Sequence, residues 1–132
     1  MAETNRTRFE GAGPILRVEE MSRSVRYYVE VLGFTNAPWG NEHFTSVSRD
    51  QAGIYLCHGA QGQAGTWAWI GVSDVAKLYD EYSKSGAHIR LPPTNYQWAY
   101  EMQVTDPDGH VLRFGSDPLD DQPVVNWVEV EG

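Results

Sequence analysis

Residues 14–34, PILRVEEMSRSVRYYVEVLGF, and residues 67–87, WAWIGVSDVAKLYDEYSKSGA, share one grammar. Each opens with a short alternating strand, passes an acidic residue, continues as an amphipathic helix and stops at a glycine. Glu20 and Asp74 are 54 residues apart, and Gly33 and Gly86 are 53 apart. Two copies of one supersecondary unit constrain the architecture more tightly than any single motif does.

Working outward, the first helix is expected over about Glu20–Leu32, with Met21, Val25, Tyr28 and Leu32 as one buried stripe. The second has Asp74 as N-cap, Val75, Leu78, Tyr79 and Tyr82 as its stripe and Gly86 as its stop. Period-2 alternation marks strands in which Leu16 and Val18, Ile54 and Leu56, Ala68 and Ile70, and Leu112 and Phe114 face the helices. The opposite set, Ile15, Arg17, Tyr55, Cys57, Trp67, Trp69, Val111 and Arg113, mixes aromatic and polar groups in the manner of a ligand-lined sheet. Asp106-Pro107-Asp108-Gly109 is a strong turn, and Arg49–Gly53 is its looser counterpart. The fold class is therefore α+β: two tandem β-α-β-β-β modules forming a curved mixed sheet, helices outside and a cleft inside. The modules span about 13–59 and 67–115 of a single domain, joined by a Gly-rich link at 60–66. A tail at 116–132 contains Val124–Val130, whose β-branched composition suits an edge strand or a dimer arm.

At 132 residues, 41% hydrophobic with five Trp and seven Tyr, the chain has enough apolar material for one core. A net charge of −8 disfavours nucleic acid and anionic membranes as partners and favours a cationic ligand. No apolar run approaches the length of a membrane span, and no signal-peptide core is seen at the N-terminus. The single cysteine, Cys57, has no internal disulfide partner, as in a reducing cytoplasm. A cytoplasmic location is the expectation.

The run from Ile15-Leu16-Arg17-Val18 through Tyr27-Tyr28 to Leu32-Gly33-Phe34, followed by Thr105-Asp106-Pro107-Asp108-Gly109-His110-Val111-Leu112-Arg113-Phe114, resembles the glyoxalase/bleomycin-resistance/extradiol-dioxygenase superfamily, the vicinal oxygen chelate fold. The resemblance covers nearly all of 14–115. It implies a fold more than a function, because that superfamily holds lyases, dioxygenases and metal-free drug-binding proteins. Its enzymes chelate a divalent ion at the start of the first strand and near the end of the last strand of each module. Carried onto this sequence, those positions are Gly13, Cys57, Trp67 and Arg113. Glycine offers no donor, an indole only an N–H, and arginine a fixed cation, so the set is unsuited to a divalent ion. The branch resembled is thus the bleomycin-resistance-like one, whose members bind a drug between the protomers of a homodimer.

The expected function is binding of a small aromatic or cationic molecule, with neither a metal nor another cofactor and with no catalytic residue. The candidate ligand-binding residues are Trp67, Trp69, Arg113, Tyr55, Arg17, Glu101, Trp98 and Trp39. Trp67 and Trp69 alternate onto the cleft face and suit stacking or cation–π contact. Trp39 and Trp98 lie in loops, each three residues before an acid, Glu42 and Glu101. Arg113 should oppose Glu101 or Gln103, according to whether the hairpin loop holds four or five residues. His43, His58, His88 and His110 share no metal-ligand spacing and read as surface or edge residues. The alternative is a divalent-metal-dependent lyase or dioxygenase of the same superfamily, with His43, Glu42 or Glu101 as ligands.

Overall fold

A computed structural model of the chain describes residues 6–125. Module one is β1 (Ile15–Arg17), α1 (Met21–Arg26), β2 (Thr35–Asn36), β3 (Phe44–Arg49) and β4 (Ala52–Cys57). Module two repeats it as β5 (Trp67–Gly71), α2 (Val75–Ser85), β6 (His88–Asn95), β7 (Tyr100–Thr105) and β8 (Val111–Ser116). Each module builds one four-stranded mixed sheet, in the orders β1-β4-β3-β2 and β5-β8-β7-β6. In both, the first strand pairs parallel with the last and the other pairs are antiparallel.

The aliphatic faces behave as their alternation requires. Leu16, Val18, Ile54, Leu56, Ile70, Leu112 and Phe114 join Met102 and Val104 in one cluster with the helix stripes. One core therefore serves both modules, and on the opposite sheet faces Tyr55, Trp67 and Trp69 stay more than a third exposed.

The first helix is not one regular α-helix. After Arg26 it widens into a π-helical turn, Tyr27–Val31, before Leu32 ends it. Consecutive residues on an α-helix point about 100° apart, whereas Tyr27 and Tyr28 are both buried here. The wider turn accommodates both rings, and both reach module two. Tyr27 Oη donates to the Thr105 carbonyl and accepts from the His88 N–H, while Tyr28 Oη donates to Asp106. Burial pushes both phenols above their ordinary range, Tyr28 strongly, with the Asp106 charge adding to it. The second helix follows the sequence expectation, with Asp74 accepting from the Lys77 N–H at 3.0 Å and Gly86 in the left-handed region at φ 90°.

The modules clasp each other reciprocally. The β7–β8 turn holds the start of α1, where the Asp108 carboxylate accepts from the Glu19 N–H, the Ser24 hydroxyl and Arg23. From the other side Arg49, at the end of β3, donates twice to Glu81 of α2, at 2.7 and 2.9 Å, and once to the Leu32 carbonyl. Tyr82 Oη donates to that same carbonyl at 2.7 Å. The carbonyls left open at the end of the first helix are thus satisfied by residues far along the chain.

The Arg49 guanidinium holds the Glu81 carboxyl below its usual range. A lowered folded-state value contributes stability above the unfolded pKa, and that contribution is lost as pH falls through the folded value. Because both side chains are a third or more exposed, the effect is screened to under about 1 kcal/mol. Glu81→Gln should therefore lower stability at pH 7 by less than about 1 kcal/mol and leave it unchanged at low pH, so that the acid limb flattens slightly, while Arg49→Ala, which also uncovers the Leu32 carbonyl, should cost more.

His110 departs from the expected surface histidine. It is fully buried, with its Nδ1 accepting from the Thr66 N–H at 2.9 Å and its Nε2 lying 2.6 Å from the Arg17 carbonyl. That pairing places the proton on Nε2 and ties the inter-module link to β1. The turn residue Asp106, which accepts from the His110 N–H, draws the backbone inward there. Val111 and Cys57, expected on the open face, are also buried. Of the tail, Val125 donates to the Asn95 carbonyl at 2.7 Å; residues 126–132 lie outside the described part, so the proposed edge strand or arm is only reached at its start. No described helix is long and apolar enough to cross a membrane.

Candidate functional site: a tryptophan face held by one carboxylate

Register decides what the open face of module two presents. Trp69 pairs with Arg113 and Arg113 with Gln103, while in the next row Gly71 pairs with Gly115 and Gly115 with Glu101. The β7–β8 loop therefore holds five residues, and Gln103 is the strand neighbour of Arg113. The guanidinium nevertheless reaches diagonally to Glu101, with Nε at 2.9 Å and Nη2 at 2.7 Å from Oε1. The two glycines of the second row leave room for an indole. Trp69 lies across them: a Cβ at position 115 would fall 2.7 Å from its Cζ2, and one at position 71 would fall 3.1 Å from its Cζ3.

Glu101, only 1% exposed, is the hub. Its Oε2 accepts from Trp69 Nε1 at 2.9 Å and from Trp98 Nε1 at 2.6 Å. Both oxygens are thus taken by N–H donors, and Arg113 neutralises the charge. Trp98 comes from the tight β6–β7 connection, closed by a bond from the Tyr96 N–H to the Ala99 carbonyl. Its ring stacks on buried Tyr96 with centroids 4.6 Å apart and planes 7° off parallel. Trp69 and Trp98 remain about half exposed, at 55% and 48%. They line a groove of about 470 Å³ together with Gly71, Gly115, Ser116 and Asp117, a size within the range of small-molecule sites.

The other candidates fall into separate places. Trp67, on the same strand face, is 45% exposed and carries the Arg90 guanidinium 5.0 Å above its ring. Tyr55 and Trp39 belong to module one, in a ladder with Phe44, the Trp39–Phe44 centroids 6.3 Å apart and the Phe44–Tyr55 centroids 5.5 Å. Arg17 donates to the Ala60 carbonyl at 3.2 Å. The acid-after-Trp echo is thus a contact only in module two. Glu42 instead lies exposed, 3.7 Å from His43. Tyr96, Gly71 and Gly115 are missing from the sequence reading. The alternation that put Trp69 on this face, the hairpin pairing that offered Glu101 to Arg113, and the spacing of Trp98 and Glu101 were the legible signals of the cluster.

The donor set does not fit a divalent ion at the positions the fold would use. Gly13 lies before β1, Trp67 has only its N–H, Arg113 is bound to Glu101, and Cys57 stands buried without a second ligand. No three His, Cys, Asp or Glu side chains converge among the described residues.

A family model described as the Glyoxalase/Bleomycin resistance protein/Dioxygenase superfamily matches residues 11–114. The chain belongs to that superfamily. Among solved structures, this superfamily member shares its fold with the bleomycin-binding protein from bleomycin-producing Streptomyces verticillus complexed with copper(II)-bleomycin. The two are 24% identical with a TM-score of 0.72, over 84% of this chain and 98% of that one. TnmS3, an antibiotic-binding protein from Streptomyces sp. CB03234, is 19% identical, covers 86% of this chain and 100% of its own, and has a TM-score of 0.72. A bleomycin resistance determinant encoded on the transposon Tn5 is 19% identical, covers 84% and 100%, and has a TM-score of 0.71. At these identities the likeness is one of fold. No curated protein matches the chain in sequence.

Proposed function

We propose that this protein binds a planar aromatic or cationic small molecule, an antibiotic of the bleomycin type being the first candidate, without a metal of its own. The observation that carries this reading is the open face of module two, where Trp67, Trp69 and Trp98 stand half exposed beside a neutralised Arg113–Glu101 pair. Large apolar rings left uncovered on a small protein mark a binding surface. The net charge of −8 draws a cation towards it. The antibiotic-binding proteins that share the fold support the ligand class. We further propose that the protein is a cytoplasmic homodimer, in which the Trp39–Phe44–Tyr55 ladder of one protomer completes the tryptophan face of its partner; the two aromatic faces of one chain favour such a pairing.

Titration with bleomycin should quench tryptophan fluorescence along a saturable curve that Trp69→Ala weakens. A flat titration removes bleomycin as the ligand. Metal content measured after incubation with Ni, Co, Zn, Mn and Fe(II) and desalting should fall below about a tenth of an equivalent. Near one equivalent per chain would replace this reading with a metal-dependent lyase or dioxygenase. Light scattering should give twice the 14.9 kDa mass of the chain.

A further inference from the structure

Trp69 and Trp98 are held by the same three devices. Each has one ring face backed: Trp69 by the backbone floor at Gly71 and Gly115, Trp98 by the ring of Tyr96. Each has its single N–H donated to Glu101 Oε2. Each leaves its remaining face to the groove. The carboxylate that joins them is buried, and Arg113 fixes its other oxygen with two donors. Neither indole has a donor left for a ligand, and the hub as a whole is electrically neutral.

We propose that Glu101 is the positioning residue of the binding face: it locks two indoles into one preorganised aromatic surface that selects its ligand by ring face, a planar conjugated group, and not by hydrogen bonding to tryptophan. This rests on the ligand-binding reading above and deepens it. Preorganisation of this kind raises affinity by removing the cost of ordering the rings when the ligand arrives. An amide in its place leaves one neutral oxygen for the four N–H donors of Arg113, Trp69 and Trp98, so the two indoles lose their shared charged acceptor.

The test uses the full chain labelled with nitrogen-15 at the tryptophan indoles, with Trp69→Phe and Trp98→Phe assigning two of the five resonances. In wild type those two should lie downfield, as carboxylate-bound N–H groups do, and Glu101→Gln should displace both. Bleomycin affinity should fall about tenfold or more. Glu101→Asp, which keeps the charge facing Arg113 but has a shorter reach, should displace at least one resonance and serves if Glu101→Gln does not fold. Unmoved resonances, or displaced resonances with unchanged bleomycin affinity, overturn the positioning role. If wild type does not bind bleomycin at all while Glu101→Gln displaces both resonances, the bleomycin reading falls and the positioning role stands.

Discussion

Asp106→Ala is expected to destabilise the folded chain by about 4 kcal/mol, among the largest effects a single substitution produces. The carboxylate is buried and accepts three hydrogen bonds: from Tyr28 Oη at 2.7 Å and from the Asp108 and His110 N–H groups, each at 2.9 Å. Alanine leaves a buried hydroxyl and two backbone donors without a partner, and it loosens the turn through which Asp108 grips α1. Urea unfolding measures the loss; a change below about 1 kcal/mol would mean that water replaces all three bonds. Asp106→Asn keeps an acceptor for the turn and should cost far less. Burial pushes the Asp106 carboxyl above its ordinary range, outweighing the Tyr28 hydroxyl and the two N–H groups that pull it down. A raised folded-state value means that the folded chain holds the proton more tightly. Relative to Asp106→Asn, wild type should therefore gain stability as pH falls through that window and lose it as pH rises. A shift of the opposite sign would show that the hydrogen bonds outweigh burial.

Gly115→Ala is the second large expectation, and it acts on binding. Its methyl group would lie 2.7 Å from Trp69 Cζ2 and 3.1 Å from Glu101 Cγ, with the ring of Trp69 directly above. The indole must lift from its floor, and its bond to Glu101 stretches or breaks. We expect bleomycin affinity to fall about tenfold or more and stability to fall by about 1–3 kcal/mol from overpacking. Gly53→Ala, in the corresponding strand of module one, meets no atom within 4 Å and should leave both nearly unchanged. Equal behaviour of the two variants in fluorescence titration would show that Trp69 does not depend on the glycine floor.

The repeat carried most of the architecture. Alternation placed Leu16, Ile54, Ile70 and Leu112 in the core, because a strand has only two faces and an apolar face has one favourable place to go. The caps of the second helix were legible for a similar reason: Asp74 and Gly86 act through neighbours three or four residues away. Other features depended on partners distant in sequence. The π-helical turn at Tyr27–Val31 fits hydroxyls whose acceptors lie in β7 and its turn, 78 residues on. His110 is buried because Thr66 and Arg17 satisfy its ring, and nothing in its local sequence announces either.

The binding face divides in the same way. By itself the sequence determined the two-module fold and the exposed strand face carrying Trp67 and Trp69, and it left Arg113 opposite either Glu101 or Gln103. Only the tertiary structure decided that Arg113 binds the acid of the two, and what else that acid holds. A five-residue loop set Gln103 beside Arg113, two glycines opened the neighbouring row, and Glu101 became the common acceptor for a strand tryptophan and a loop tryptophan. Alternation is a property of one strand and can be read along it. A hub that joins β5, β7, β8 and the β6–β7 turn exists only once inter-strand register has brought four distant stretches of chain within hydrogen-bond distance.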